Sequence, residues 1–394
     1  MKRILILTTD FDHPLIARVH YLLDFLKTKK IRTKVINISF NSKSEGILRY
    51  IINMLASTKR AFSLSNLDNT VYFPGPLKVS NTSLESVMIL IHYIFALVLS
   101  NMFLRGYGDS IVVTTGPFAG SLGIMALKNQ AVTVYEDTDF WGDTSNGLIQ
   151  KKVGSIIEGI CLRKANIVIS NSSLLNKRAL VLNPNSFLIR NGANTEFYSC
   201  KETLDRNLAI TFMGSITDNA GLELVLESFP KLLKEFPQLT LKISGDGPEK
   251  LQLEKYVKSN KLERNVFFLG RLPYDELPRL LHMSYIGLAM FKPSKFTIYA
   301  TPLKLFEYMA AGLPIVATNI GEQAIIINES KAGICSDWNV EKFVEAVSTL
   351  MTGKDLWLEC HKNGLDYAKK YDWDILFEKW LGYVESITKK YMVQ

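Results

Sequence analysis

The chain has few cysteines for its 394 residues, and their positions exclude two classes of protein. The four cysteines lie far apart and form no closely spaced pair: Cys161, Cys200, Cys335 and Cys360. Paired zinc ligands and small disulfide frameworks need short cysteine spacings, so neither is predicted. A reducing compartment is therefore expected.

The N-terminus lacks an apolar run long enough for a signal peptide. Ile4–Leu7 is apolar, but the polar residues Thr8-Thr9-Asp10 follow it at once. This run is shorter than the hydrophobic region of a secretory signal. It predicts a buried first strand in a cytoplasmic protein.

One longer apolar stretch, Leu84–Leu104, would nearly span a bilayer. It contains Glu85, His92 and Asn101, and it lies between segments typical of one soluble fold. A buried core helix, a helix on the membrane surface and a membrane span are the alternatives, and these residues favour the first.

Positive charge is in modest excess, with 46 Lys and Arg residues against 38 Asp and Glu. Such an excess suits anionic partners, namely a nucleotide diphosphate, nucleic acid or an acidic membrane surface. No long basic run is present, so nucleic acid is not predicted as a partner. Peripheral association with the inner face of the cytoplasmic membrane stays open.

Strand and helix patterns alternate along the chain, which is long enough for two domains. The alternation predicts two α/β domains with parallel sheets, at residues 1–203 and 204–372. The polar segment Lys201–Asn207 marks the boundary between them. A final amphipathic helix at 373–394 is expected to cross back to the first domain.

The first domain offers three candidate site residues at strand ends. The first strand lacks a glycine-rich dinucleotide fingerprint, but its loop carries His13, which we assign to the acceptor side. A lone loop histidine is more often incidental. Asp137 and Asp139 follow the predicted strand Val132–Tyr135 as a D-x-D pair, which binds a divalent metal in some nucleotide-sugar enzymes. Two residues make a weak motif, so no metal site is predicted.

Glycines follow the predicted strands of the second domain. Gly214, Gly245, Gly247 and Gly270 lie where the backbone must turn tightly or approach something closely. Each alone is explained by a tight turn between strand and helix. Together, at one edge of a sheet, they favour a nucleotide crevice.

The stretch 301–314 predicts a short helix at residues 302–311 with both ends marked. Thr301 is predicted to cap it, Pro302 to occupy its first position and Gly312 to end it. Lys304 and Glu307 share one face. They would form a surface salt bridge or, with the free N–H groups of the helix, hold a phosphate and a sugar hydroxyl.

The motifs of the second half resemble the nucleotide-sugar half of the GT-B fold retaining glycosyltransferases of family 4, also called group 1. The motifs that carry the resemblance are Phe212-Met213-Gly214, Ile243-Ser244-Gly245-Asp246-Gly247-Pro248, Val266-Phe267-Phe268-Leu269-Gly270 and the segment from Pro302 to Thr318. In the first half, Ala165–Ser172 and Ile189-Arg190-Asn191-Gly192 match the joint between domains. The resemblance implies two Rossmann-like domains facing each other across a cleft.

The resemblance also implies roles for individual residues. Glu307 would bind the ribose hydroxyls, while Lys304 and the helix N-terminus at Thr301, Pro302 and Leu303 would take the diphosphate. Asp137 or Asp139 would lie near the transferred sugar. The remaining donor-binding residues would be Gly214, Ser215, Gly245, Asp246, Gly247, Arg271 and Leu272.

The sequence departs from the family pattern at three positions. Tyr299 stands where the first of the paired glutamates is expected. Ser215 and Ala220 stand where Arg and Lys are frequent. Lys304 is therefore expected to carry more of the phosphate charge, with help from Arg271 or Lys295.

The resemblance implies a retaining glycosyltransferase that uses a nucleotide diphosphate sugar, with no metal or other cofactor. Its acceptor would be a glycan or a lipid-linked molecule in surface polysaccharide, glycolipid or glycoprotein glycan synthesis. Two alternatives stay open. One is a sugar-nucleotide epimerase of the same fold, and the other is a degenerate partner subunit, which the three departures favour.

Overall fold

The computed structural model describes residues 3–8, 17–41, 70–74, 97, 100–101, 104–127, 129–140, 148–199 and 208–392. The chain forms two compact units, Met1–Ile189 with Phe377–Gln394 and Arg190–Leu376. His13, the predicted boundary between residues 203 and 204, and most of Leu84–Leu104 lie outside the described residues. None of the helices formed by the described residues combines the length and apolar character that crossing a membrane requires.

The first unit is built on a seven-stranded parallel sheet in the order β3-β2-β1-β4-β5-β6-β7. Its strands are β1 (Ile4–Thr8), β2 (Thr33–Asn41), β3 (Thr70–Pro74), β4 (Ile111–Thr115), β5 (Val132–Asp137), β6 (Ile167–Ser170) and β7 (Ser186–Leu188). Its helices up to β7 are α1 (Ala17–Thr28), α2 (Pro117–Leu127), α3 (Leu148–Lys164) and α4 (Ser173–Leu182). Every residue of β1 is buried, as expected for a parallel strand covered on both faces.

The second unit contains a six-stranded parallel sheet in the order β10-β9-β8-β11-β12-β13. Its strands are β8 (Ala209–Met213), β9 (Thr240–Ser244), β10 (Val266–Gly270), β11 (Ile286–Ala289), β12 (Ile315–Thr318) and β13 (Gly333–Ser336). Its helices are α5 (Thr195–Tyr198), α6 (Leu222–Glu235), α7 (Lys250–Ser259), α8 (Leu277–His282), α9 (Leu303–Ala310), α10 (Gly321–Ser330), α11 (Val340–Thr352) and α12 (Lys354–Lys370).

The strand order reverses direction once in each sheet, next to the first strand of that unit. In the second unit β8 pairs with β9 on one side and with β11 on the other. Ligands of open α/β sheets bind outside the carboxyl ends of the strands at such a reversal. The sheet therefore marks the ends of β8 and β11 as the position for a site.

The first described residues of the second unit are fixed by an ion-pair network around the buried Arg190. Its Nε donates to Glu322 Oε1 at 2.8 Å, and an Nη donates to Glu329 Oε2 at 2.5 Å. The same Nη lies 3.1 and 3.2 Å from the hydroxyls of Tyr367 and Tyr371. The network ties the start of the unit to α10 and α12.

The last helix, α13 (Trp373–Met392), belongs from Phe377 onward to the first unit. Trp380 is fully buried, and its indole N–H donates to Glu136 Oε1 at 2.6 Å. Tyr383 stacks on Phe187 with ring centroids 4.1 Å apart. The prediction that the C-terminal helix returns to the first domain is confirmed.

Candidate functional site

The loops at the carboxyl ends of β8, β9 and β10 lie against one another. The Gly214 N–H donates to the Ser244 carbonyl at 2.9 Å, and the Gly245 N–H donates to the Gly270 carbonyl at 2.7 Å. A Cβ on Gly245 would lie 1.8 Å from the Gly214 carbonyl oxygen. Glycine is therefore required at 245 by backbone contact, in addition to its positive φ of 147°.

Gly247, the second glycine after β9, is also required by a backbone contact. A Cβ on Gly247 would lie 2.2 Å from the Ile216 carbonyl oxygen. The Ile216 N–H in turn donates to the Asp246 carbonyl at 2.9 Å. The structure thus brings these sequence-predicted glycines together at one edge of the sheet, which both the tight-turn and the crevice interpretations require.

The side chains on these loops face outward to different degrees. Ser215, Asp246 and Arg271 are exposed, and Leu272 is half-buried. The Asp246 carboxylate accepts from the Gly247 N–H at 3.0 Å. Polar groups therefore surround the glycine turns.

Helix α9 begins one residue later than the sequence predicts. Pro302, at φ −69° and ψ 132°, occupies the cap position, Leu303 is the first helical residue, and no side chain caps the helix. Thr301 is buried, and its carbonyl accepts from the Asn191 side chain at 2.7 Å. Because the helix starts at Leu303, Thr301 lies one position before the cap, and the side chain of Pro302 has no group that could accept a hydrogen bond. An N-terminus without a side-chain cap suits an anion.

Lys304 is the second residue of α9, and its ammonium lies close to aromatic rings. Its Nζ is 3.9 Å from the Phe212 ring centroid and 5.8 Å from that of Phe291. A Cβ on Gly214 would lie 3.0 Å from this Nζ, so the ammonium lies beside the Gly214 loop. Burial lowers the pKa of Lys304 to about 7, and Glu307 opposes the shift.

Glu307 does not pair with Lys304. Among the ion pairs of the described residues, none joins these two side chains. Instead, Glu307 Oε1 accepts from the Tyr198 hydroxyl at 3.0 Å. Burial raises the pKa of Glu307 to about 7, while the Tyr198 hydrogen bond and Lys304 lower it. The salt-bridge interpretation of this helix face therefore does not hold.

Tyr308 fixes α9 to the ends of the two central strands. Its hydroxyl accepts from the Met213 N–H at 3.0 Å and lies 3.4 Å from the Leu288 carbonyl. A Cβ on Gly287 would lie 2.6 Å from the Tyr308 ring, so the ring packs directly on β11. Sequence reasoning missed both Tyr198 and Tyr308; only Tyr308 lies in a motif that signals its importance.

The prediction that Asp137 and Asp139 both lie in the loop after β5 is wrong for Asp137, because β5 continues through this residue. Successive strand residues face opposite sides. Glu136 points to Arg18, at 2.8 Å, and to Trp380. Asp137 has no exposed area, and its Oδ2 accepts from the Ser170 hydroxyl at 3.0 Å. The strand extends because each carboxylate has partners in the interior.

Asp137 and Asp139 have different surroundings. Asp137 Oδ1 lies 3.8 Å from the Arg178 guanidinium, which also binds Glu158 at 2.8 Å. Burial raises the pKa of Asp137 to about 7, and Arg178 opposes the shift. Asp139 is half-buried, and burial raises its pKa to about 7 as well. Within the described part of the chain, no group of three or more His, Cys, Asp or Glu is arranged to hold a metal ion.

Residues 196–367, less than half of the chain, match the family model described as "Glycosyl transferases group 1". An uncharacterized glycosyltransferase of Haemophilus influenzae is 26% identical over 204 residues, which are 51% of this chain and 53% of that protein. A putative teichuronic acid biosynthesis glycosyltransferase of Bacillus subtilis, TuaH, is 22% identical over 68% of this chain and 70% of its own length. The chain thus spans about half the length of the first relative.

The whole chain has a structural neighbour with the same architecture. Anabaena Alr3699/HepE, in a crystal structure with UDP, superimposes with a TM-score of 0.69 at 16% identity, covering 98% of this chain and 100% of that one. The similarity shows the two-domain α/β fold called GT-B. The segment that matches the group 1 model lies within the second unit, Arg190–Leu376.

Proposed function

We propose that the protein is a glycosyltransferase that moves a sugar from a nucleotide diphosphate sugar to a glycan or lipid-linked acceptor. The observation that carries this proposal is the face of α9, where Lys304 lies beside the Gly214 loop and Glu307 is bound by Tyr198 instead of pairing with Lys304. A cation and an anion held apart on one turn can bind the two unlike parts of a nucleotide. The UDP in the crystal structure of the Anabaena neighbour supports a donor of this class.

In the proposed mechanism, the diphosphate binds Lys304 and the uncapped N–H groups that open α9. An arriving diphosphate raises the depressed pKa of Lys304, so the ammonium is charged when the sugar–phosphate bond breaks. Charge that develops on the leaving diphosphate then meets a fixed cation in a site of low dielectric. Glu307 accepts hydrogen bonds from the ribose hydroxyls.

The rest of the donor is assigned to the loops of the second unit. Gly214 and Ser215 would contact the sugar or phosphate through their backbone, and the turns Gly245–Gly247 and Gly270–Leu272 would line the base pocket. Arg271 and Lys295 are exposed cations that would supplement Lys304. No metal ion is assigned to the reaction.

We assign the acceptor side to the first unit and the outcome to retention of anomeric configuration, as the resemblance implies. Of the two aspartates, Asp139 is the better candidate for contact with the transferred sugar, because Asp137 is enclosed by Ser170 and Arg178. The acceptor would belong to surface polysaccharide, glycolipid or glycoprotein glycan synthesis. The reaction is placed in the cytoplasm, with peripheral membrane contact where the acceptor is lipid-linked.

A hydrolysis screen against a panel of UDP-, GDP- and ADP-sugars, followed by calorimetry with the free nucleotides, tests the proposal. We expect slow release of sugar from one donor and binding of its nucleotide. Glu307→Ala should weaken that binding by about 10-fold or more, since it removes hydrogen bonds to a charged group. Glu345→Ala, on helix α11, where the exposed carboxylate pairs with the exposed Lys342, is the matched control and should leave the affinity unchanged.

The alternatives give different results in the same screen. An epimerase would convert the donor sugar to its epimer without any acceptor, which product analysis detects. A degenerate subunit, which Tyr299, Ser215 and Ala220 favour, would bind without turnover or would not bind. If none of the nucleotides binds, the proposed function is wrong.

A further inference from the structure

Tyr198 is the last residue of the short helix α5, whose N-terminal end is held by side-chain hydrogen bonds. The Asn194 side chain accepts from the Phe197 N–H at 2.9 Å and so caps α5. The N–H and hydroxyl of Thr195 donate to Asp372 at 3.0 and 2.6 Å. These bonds leave α5 little freedom to move, so the position of Tyr198 is determined before any ligand arrives.

The Tyr198 ring is itself confined. It has no exposed area, and it packs edge-on against Phe197 and Tyr274, with centroid distances of 5.0 and 6.3 Å. A buried tyrosine needs a partner for its hydroxyl, and here the partner is Glu307 Oε1 at 3.0 Å. Tyr198 therefore cannot touch a ligand, but it contacts a group that the proposed function requires.

A glutamate on the surface of a helix samples several rotamers. In this structure one carboxylate oxygen of Glu307 is fixed by a hydroxyl on a rigid ring. Fixing one oxygen also fixes the direction of the second, Oε2, which is the atom a sugar hydroxyl would reach. Glu307 is thus already oriented in the folded protein, so its conformational entropy is not lost when the ligand binds.

We propose that Tyr198 is a positioning residue for the donor site, whose hydroxyl orients the Glu307 carboxylate toward the ribose of the nucleotide. The inference rests on the proposed function, because it assigns the ribose to Glu307. The hydrogen bond also lowers the pKa of Glu307 against the effect of burial. Within the described residues, the titratable groups that act on Glu307 are Tyr198 and Lys304, and Tyr308 is in turn affected by Glu307.

Tyr198→Phe keeps the ring and removes the hydroxyl, and UDP is the first probe, with GDP where UDP does not bind. At pH 7 we expect about a 5-fold loss of affinity, because one charge-assisted hydrogen bond no longer orients Glu307. The acidic limb of the affinity profile should move up by about half a pH unit, since Glu307 loses a bond to its ionised form. Calorimetry from pH 5.5 to 9 measures both effects.

A double-mutant cycle separates positioning from a general loss of stability. In the Glu307→Gln background, Tyr198→Phe should weaken UDP binding less than it does in the wild type, because the carboxylate it orients is gone. Additive losses would overturn the inference. Tyr308→Phe, which removes another buried hydroxyl from the same site region, should not move the pH midpoint, because its partners are backbone groups.

The outcomes distinguish this inference from the proposed function. If the wild-type protein binds none of UDP, GDP and ADP, the proposed function fails and the inference falls with it. If Glu307→Gln weakens binding and Tyr198→Phe leaves both affinity and pH profile unchanged, only the inference is overturned. Should Tyr198→Phe not fold, 3-fluorotyrosine at position 198 replaces it. This stronger donor should move the acidic limb to lower pH, and an unmoved limb would overturn the inference.

Discussion

Lys304 is a lysine held against an aromatic ring, so its protonation responds strongly to an arriving anion. Its pKa falls to about 7 in the unliganded protein because burial penalises the charge. A bound diphosphate would reverse that penalty. The same side chain is therefore expected to report ligand binding through the protons it takes up.

At pH 8, UDP binding should take up close to one proton. Lys304 is then mostly neutral before binding and charged afterwards, while Glu307, with a pKa of about 7, is already mostly ionised. Calorimetry in two buffers of different ionisation enthalpy measures the uptake. Lys304→Met should abolish it, and a variant that still took up the proton would show that another group is responsible.

The same residue predicts how the stability of the unliganded protein depends on pH. The folded pKa of Lys304 lies below its ordinary value of 10.5, so the unfolded chain binds more protons between about pH 7 and 10. The contribution of Lys304 to stability therefore rises with pH across this window. Glu307, whose folded pKa is raised from 4.5 to about 7, contributes a fall between those values.

Melting temperatures from pH 5 to 10 test these signs. Lys304→Met should remove part of the rise in stability above pH 7. Glu307→Gln should remove part of the fall in stability below pH 7. The control is Lys342→Met, an exposed lysine on α11, which should leave both slopes unchanged. Equal slopes in the wild type and Lys304→Met would contradict the assignment.

At the scale of elements, the glycine turns after β9 and β10 differ in what they tolerate. A Cβ on Gly245 would strike the Gly214 carbonyl, whereas a Cβ on Gly270, at φ 68°, would meet nothing within 4 Å. Gly245→Ala should therefore cost about 3 kcal/mol or more, and Gly270→Ala only about 1 kcal/mol of left-handed strain. Urea unfolding of the two variants measures the difference. Equal losses of stability would show that the loop after β8 moves to accommodate the added methyl group.

Short-range patterns predicted most of the second unit. Pro302 and Gly312 mark both ends of α9 to within a residue, and the glycines after the strands lie at the turns. The prediction failed where contacts between residues distant in sequence determine the structure. Asp137 looks like a loop residue, but Ser170 and Arg178 hold it in β5. Tyr198 meets Glu307 across 109 positions, a separation that no local pattern encodes.

At the scale of the whole molecule, α13 completes the first unit from the far end of the chain. Trp380 donates to Glu136, which also pairs with Arg18 on α1. Trp380→Phe should destabilise this region by about 1–3 kcal/mol, because a buried carboxylate oxygen loses its donor. Hydrogen exchange at the β5 amides measures the effect. Tyr391→Phe, near the exposed end of the same helix, is the control and should leave that exchange unchanged.

The two-part composition of the first unit has a consequence for synthesis on the ribosome. Residues of α1 and β5 emerge early, but Phe377, Trp380 and Tyr383 emerge only after the second unit has been translated. Until then Glu136 lacks its indole partner and Phe187 lacks its stacking partner. The second unit, continuous in sequence, can finish folding first, so the nascent first unit must wait with part of its core uncovered and is the part of the chain that chaperones should bind.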